Sequence, residues 1–219
     1  DDNLFKKNYF VENSDKILFI GHGYGQNSEN LSIDNNLKST IESYSVTNNF
    51  KNIVFLGDFL TTSKNKNWRD FNKQISNLEK EFLVLGNHEY SLTSYIRLFF
   101  NFQSSYFKIV DDKNNVFYFL NTIRKWFDID QKQYEFILTD LNENNYDNIF
   151  FLSHHLLWSS IIEEEISFNN GSKKSNIKKF NKNFLDLHNY LNTLENEIYF
   201  ISGDMGRYIP YFEKKVGKI

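Results

Sequence analysis

Six short apolar runs, separated by stretches with helical spacing, constrain this chain more than any other feature of its sequence. The runs are Lys16–Ile20, Asn52–Leu56, Phe82–Leu85, Val116–Leu120, Asn148–Leu152 and Ile198–Ile201, mostly β-branched or aromatic, and each reads as a strand. Between them, Ser32 is expected to cap a helix carrying Ile33, Leu37, Ile41 and Tyr44 on one face. Trp68, Phe71, Ile75 and Leu78 mark a second helix, and Asp130 caps a third with Tyr134, Ile137, Leu138 and Leu141. Phe184, Leu187 and Leu191 mark a fourth. Strand and helix alternate, which predicts an α/β class with a largely parallel inner region. Continuous apolar runs such as Ile53–Leu56 predict strands buried on both faces.

Glycine is scarce, so each one is informative. The 219 residues hold nine Gly, one Pro, no Cys, no Ala and 31 Asn, a bias that fits AT-rich codons. Seven of the nine glycines fall in four places: Gly21, Gly23 and Gly25; Gly57; Gly86; Gly203 and Gly206. Four of the five histidines lie in or beside those places or at His154-His155. In open α/β sheets, ligands bind beyond the carboxyl ends of the strands. Five of the runs end in polar clusters: Gly21-His22-Gly23-Tyr24-Gly25, Gly57-Asp58, Gly86-Asn87-His88-Glu89, Ser153-His154-His155 and Ser202-Gly203-Asp204-Met205-Gly206. Each alone reads as a turn or cap; together they deliver His, Asp and Asn to one rim. His188 lies among helical residues and reads as structural or exposed.

Length and composition narrow the classes. No linker or repeat divides residues 1–219, so one domain is expected. A net charge of −3 argues against nucleic-acid binding, and no apolar stretch reaches 18 residues, so no spanning helix is expected. No secretory signal is visible, although the chain opens at Asp1 without Met, and the absence of Cys fits a reducing compartment; a cytoplasmic location is the expectation. Nothing in the sequence specifies an oligomeric state.

The motifs Gly57-Asp58, Gly86-Asn87-His88-Glu89 and His154, in that order and each after an apolar run, resemble the calcineurin-like metallophosphoesterases. The helical stretch from Gln131 leading into Phe150–His155 is similar to that family too, and the resemblance spans about residues 16 to 212. It implies a four-layer αββα sandwich of the metallophosphoesterase type, with divalent metal, Mn, Fe or Zn, at the sheet edge. It also implies hydrolysis of a phosphorylated small molecule or a phosphodiester. Asp58 would bridge two metals, with Asn87, His154 and Asp204 completing the second site. His88 would protonate the leaving group or bind phosphate oxygens, and Glu89 would orient the loop. Carboxylate, amide oxygen and imidazole suit such ions.

The pattern also departs from the family. His22 stands at the family's first Asp and Tyr24 at its His; Asp204 stands at the first His of the last motif and Gly206 at the second. One firmly bound metal and a second that is weak or absent are therefore expected, with His22 a candidate ligand. Tyr24, His155 and Arg207 are candidate substrate-binding residues. The alternative is a catalytically impaired domain that binds a phosphorylated ligand or a protein partner. Segments Ser91–Ser105 and Leu156–Lys182 are candidate specificity loops; the second reads first as an amphipathic helix followed by a solvated surface loop, with a lid or membrane-facing lip bearing Lys173 and Lys174 as the alternative. The 13 residues after Gly206 leave room for about one strand, so a truncated C-terminus or a small second sheet is expected.

Overall fold

The structure, a computed structural model, describes residues 16–24, 32–48, 52–76, 80–91, 105–125, 128–157 and 182–204. Among these residues the chain is mixed α/β, with two sheets and four helices. The first sheet holds β1 (Ile17–Ile20), β2 (Asn52–Leu56) and β3 (Lys80–Val84) in the order β1-β2-β3, all parallel. The second holds β4 (Phe107–Val110), β5 (Val116–Phe119), β6 (Asn148–Ser153) and β7 (Glu197–Ser202) in that order. Only the β4–β5 pairing there is antiparallel. The helices are α1 (Asn35–Asn48), α2 (Asn65–Ile75), α3 (Gln131–Glu143) and α4 (Lys182–Leu191).

Strand alternation sorts the apolar residues into three buried clusters. Val54, Leu56, Phe82 and Val84 of the first sheet share one cluster with Ile109, Phe117, Phe119 and Leu152 of the second. Ile53, Phe55 and Leu83 point the other way and pack with Ile41 of α1 and Trp68, Phe71 and Ile75 of α2. Tyr118, Ile149 and Phe151 pack with Ile137 of α3 and Phe184, Leu187 and Leu191 of α4. Every residue of β2 is buried, as its unbroken apolar run requires.

The helix expectations hold at α2, α3 and α4, and Asp130 caps α3 by accepting from the Gln133 N–H at 3.0 Å. Leu78 lies outside the described residues. At α1 the cap is Asp34, not Ser32: Asp34 Oδ1 accepts from the Asn36 N–H at 2.9 Å. Ser32 sits too far ahead of the first free N–H groups, and its hydroxyl donates instead to Asp70 of α2 at 2.7 Å. The third strand starts at Lys80 and ends at Val84 rather than running Phe82–Leu85. A seventh strand, β4, was unforeseen because a lysine interrupts its four residues. The Lys108 ammonium reaches the buried carboxylate of Asp140 and the Tyr146 hydroxyl. No helix among the described residues is long and apolar enough to cross a membrane.

Candidate metal centre

The carboxyl ends of β1, β2, β3, β6 and β7 converge where the two sheets meet. Two glycines make this approach feasible. Gly203, after β7, lies so close to Leu56 of β2 that an added Cβ would overlap the Leu56 carbonyl oxygen. Gly57 has φ +86°, a left-handed conformation, and its missing side chain leaves room for the His154 ring, whose Cγ would lie 2.7 Å from a Cβ there. His22 (φ 51°) and Asp58 (φ 52°) are left-handed as well, a conformation that costs a non-glycine residue about 1 kcal/mol or more. The loop after β1 is laid on the loop after β2: the His22 N–H donates to the Gly57 carbonyl and the Tyr24 N–H to the Asp58 carbonyl, both at 3.2 Å.

Glu89 holds this backbone in place. Fully buried, its carboxylate accepts from the N–H groups of Asp58 (2.8 Å), Leu60 (2.7 Å) and Gly86 (2.8 Å). Burial, with the nearby Asp58 charge, pushes its carboxyl above the usual range, against the opposing pull of these donors. The role expected of Glu89, orienting the loop, matches these bonds.

At the centre, acceptor atoms face one another. His154 Nδ1 lies 3.0 Å from the Leu56 carbonyl, which can only accept, so the ring's proton is on Nδ1. In the neutral ring Nε2 is then a bare lone pair, 3.1 Å from Asn87 Oδ1 and 3.5 Å from Asp58 Oδ1. On the other side of the same carboxylate, Asp58 Oδ2 is 3.6 Å from His22 Nδ1 and 3.9 Å from His88 Nε2. His22 Nδ1 is buried with no hydrogen-bond partner. Burial lowers the His22 pKa, although Asp58 and Asp204 pull it the other way.

These separations fit a cation. With metal–ligand bonds of about 2.0–2.2 Å, neighbouring ligand atoms around an ion stand about 3.0–3.5 Å apart. The pairs His154–Asn87 and His154–Asp58 fall at that spacing; His22–Asp58 is just beyond it. Asp204 joins from β7, its N–H donating to the His154 carbonyl at 2.9 Å. One ligand atom from each of His154, His155 and Asp204 can be chosen so that all three lie within 4.8 Å of one another.

The structure thus brings together His22, Asp58, Asn87, His88 and His154, with Asp204 alongside. Tyr24 packs between the His22 and His88 rings, at centroid distances of 4.8 and 4.7 Å. His155 is 1% exposed and stacks edge-on against His154, its Nδ1 2.9 Å from the Thr122 hydroxyl. Burial, with His154 adding to it, pushes the His155 pKa down to about 3. Arg207, Gly206, Lys173, Lys174 and the segments 92–104 and 158–181 lie outside the described residues. His188 is half-buried on α4.

Sequence reasoning missed Thr122 and Thr61. Thr122 follows Val116–Leu120, the one apolar run whose polar exit, Asn121-Thr122, carries no glycine, carboxylate or imidazole. Thr61 acts through its backbone carbonyl, 2.9 Å from His88 Nδ1, which no residue type announces. Comparison with models of known protein families gives no match for this chain, and comparison with curated proteins gives none.

Proposed function

We propose that this chain is a metal-dependent phosphoester hydrolase of the metallophosphoesterase type, acting on a phosphomonoester or phosphodiester. The observation that carries the reading is the meeting of three metal-ligand-type atoms, His154 Nε2, Asn87 Oδ1 and Asp58 Oδ1, with His154 Nε2 at 3.1 Å from the amide oxygen and 3.5 Å from the carboxylate. Carboxylate, amide oxygen and imidazole at this spacing suit a divalent ion.

Asp58, Asn87 and His154, with Asp204, would hold one divalent ion, Mn, Fe or Zn. His22 and the second oxygen of Asp58 would hold another more weakly. A bound ion would supply neutralisation of the phosphate charge and a water of lowered pKa as nucleophile. Asp58 presents one oxygen to each side, the arrangement a bridging ligand needs. His88, beside Asp58 and half open to solvent, is the group to meet the phosphate or protonate the leaving oxygen. The four-layer αββα sandwich belongs to the same reading. It is supported by the three buried clusters, one between the sheets and one between each sheet and its helices.

The test is to purify the protein without chelator, measure bound metals, and assay p-nitrophenyl phosphate and bis(p-nitrophenyl) phosphate with added Mn. Metal in the wild type, and turnover lost in Asp58→Ala, is the expected result. No metal and no turnover, or turnover unchanged in Asp58→Ala, would overturn it. A second reading, a phosphate-binding domain without hydrolysis, is favoured by one observation: among the described residues, the imidazoles beside Asp58 Oδ2 are His22, whose buried Nδ1 has no hydrogen-bond partner, and His88, whose two nitrogens are both engaged, a sparse set for a second metal. About one metal per chain, ligand-induced thermal stabilisation and no turnover of any phosphoester would select it.

A further inference from the structure

Tyr24 has its ring between two histidines and its hydroxyl on one of them. The phenol oxygen lies 3.2 Å from His88 Nε2. On the far side of that imidazole, Nδ1 lies 2.9 Å from the Thr61 carbonyl oxygen. A carbonyl can only accept, so the His88 proton is on Nδ1 and, in the neutral ring, Nε2 is the acceptor for the Tyr24 O–H. Both nitrogens are thereby fixed, and the ring cannot flip without breaking two bonds.

The tyrosine is itself held. Its N–H donates to the Asp58 carbonyl at 3.2 Å, it forms a β-bridge with Ile33, and its ring touches His22 at 4.8 Å between centroids. The Asp58 end of this arrangement also fixes the backbone of His88, whose N–H donates to Asp58 Oδ1 at 3.1 Å. Backbone, ring and both nitrogens of His88 are therefore referenced to the carboxylate that the proposed reaction needs.

We propose that Tyr24 is a positioning residue: its hydroxyl, donating to Nε2 of the neutral ring and accepting from it once the ring takes up a proton, fixes the His88 imidazole beside Asp58. This role rests on the proposed hydrolase reading, but its first test does not. Hydrogen bonding to a histidine nitrogen moves that nitrogen's resonance, so 15N-histidine spectra of wild type and Tyr24→Phe, with His88 assigned through His88→Gln, read the contact directly. The phenylalanine keeps the ring and its packing, so the melting temperature and the His188 resonances should not change.

The expected result is a wild-type His88 ring protonated on Nδ1, with an Nε2 resonance displaced from the free-acceptor position and returning towards it in Tyr24→Phe. A wild-type Nε2 already at the free position, or one unmoved by the substitution, would overturn the proposal whether or not the chain hydrolyses anything. If wild type turns over p-nitrophenyl phosphate, Tyr24→Phe should lower kcat about tenfold, the worth of one hydrogen bond, with KM little changed. Added to His88→Gln, it should have no further effect. A further loss in that background would mean that Tyr24 acts on the substrate itself, and the positioning role would be wrong. Absence of turnover in wild type would remove the hydrolase reading alone, leaving the spectra to decide the contact.

Discussion

His154 Nε2 lies 3.5 Å from Asp58 Oδ1, and the histidine's proton is committed elsewhere, to the Leu56 carbonyl 3.0 Å from Nδ1. The two residues come from different sheets and bring two metal-ligand-type atoms together.

Divalent metal should therefore stabilise the fold. In chelator-free buffer, Mn or Zn at a hundredfold excess over its dissociation constant is expected to add about 2.7 kcal/mol to unfolding. Asp58→Ala and His154→Ala should each abolish most of that gain. Thermal melts with and without metal, followed by chelation to reverse the shift, provide the check.

Glu89 accepts three buried N–H groups. Glu89→Ala leaves all three without a partner, at about 1–3 kcal/mol each before relaxation. A loss of several kcal/mol is expected in urea unfolding. Glu89→Gln keeps one oxygen but turns an N–H2 towards a donor, so it should recover only part. A neutral outcome for either variant would contradict the role of this carboxylate in holding the Asp58 and Gly86 backbone.

His155 should contribute a loss of stability as pH falls, while Glu89, its carboxyl raised by burial to about 8, contributes in the opposite direction over the same range. His155 has its pKa pushed down to about 3 by burial and by neighbouring His154, against about 6.5 in an unfolded chain. The folded value is the lower one, so the unfolded state binds the proton more readily. The His155 contribution is whole above pH 6.5 and is lost as pH falls from there towards 3. Between pH 6.5 and 5 His155 alone accounts for about 2 kcal/mol. Burial shifts His22 and His188 in the same direction. Measured against His155→Gln, the wild-type urea midpoint should fall between pH 7 and pH 5, which isolates the His155 contribution from that of Glu89.

Gly57→Ala should damage fold and site together. Its φ of +86° strains any side chain, and a Cβ there would press on the His154 ring and on Gly86 Cα at 2.8 Å. Strain alone is worth about 1–2 kcal/mol, and displacement of His154 should also remove the metal-induced rise in melting temperature. Asn114→Ala, at a left-handed position between β4 and β5, removes side-chain bonds to Asn145 and Asp147 and should lower stability without the metal defect.

The core of the fold was legible where apolar spacing was unambiguous. Phe184, Leu187 and Leu191 lie one turn apart and are all buried; Asp130 caps the helix it precedes. Five strand ends were legible as one rim, because chemistry-bearing residues stood where apolar runs stopped. What escaped had no letter of its own. The carbonyls of Leu56 and Thr61 set the protons of His154 and His88, yet any residue supplies a carbonyl. Strand β4 escaped because Lys108 looks exposed by type, and only Asp140 and Tyr146, distant in sequence, supply its partners. Ser32 and Asp34 are both good caps by type, and the first turn's geometry chose between them.

Among the described residues, all strand pairings run within residues 17–84 or within residues 107–202, never across. Asp58, Asn87 and His22 belong to the first half, His154 and Asp204 to the second. The candidate centre is thus a seam between two consecutively made pieces of chain, each holding an incomplete set of ligands. A cation seated there would be the common property of both pieces, so fragments made separately and mixed should reunite more tightly when metal is present than when it is removed.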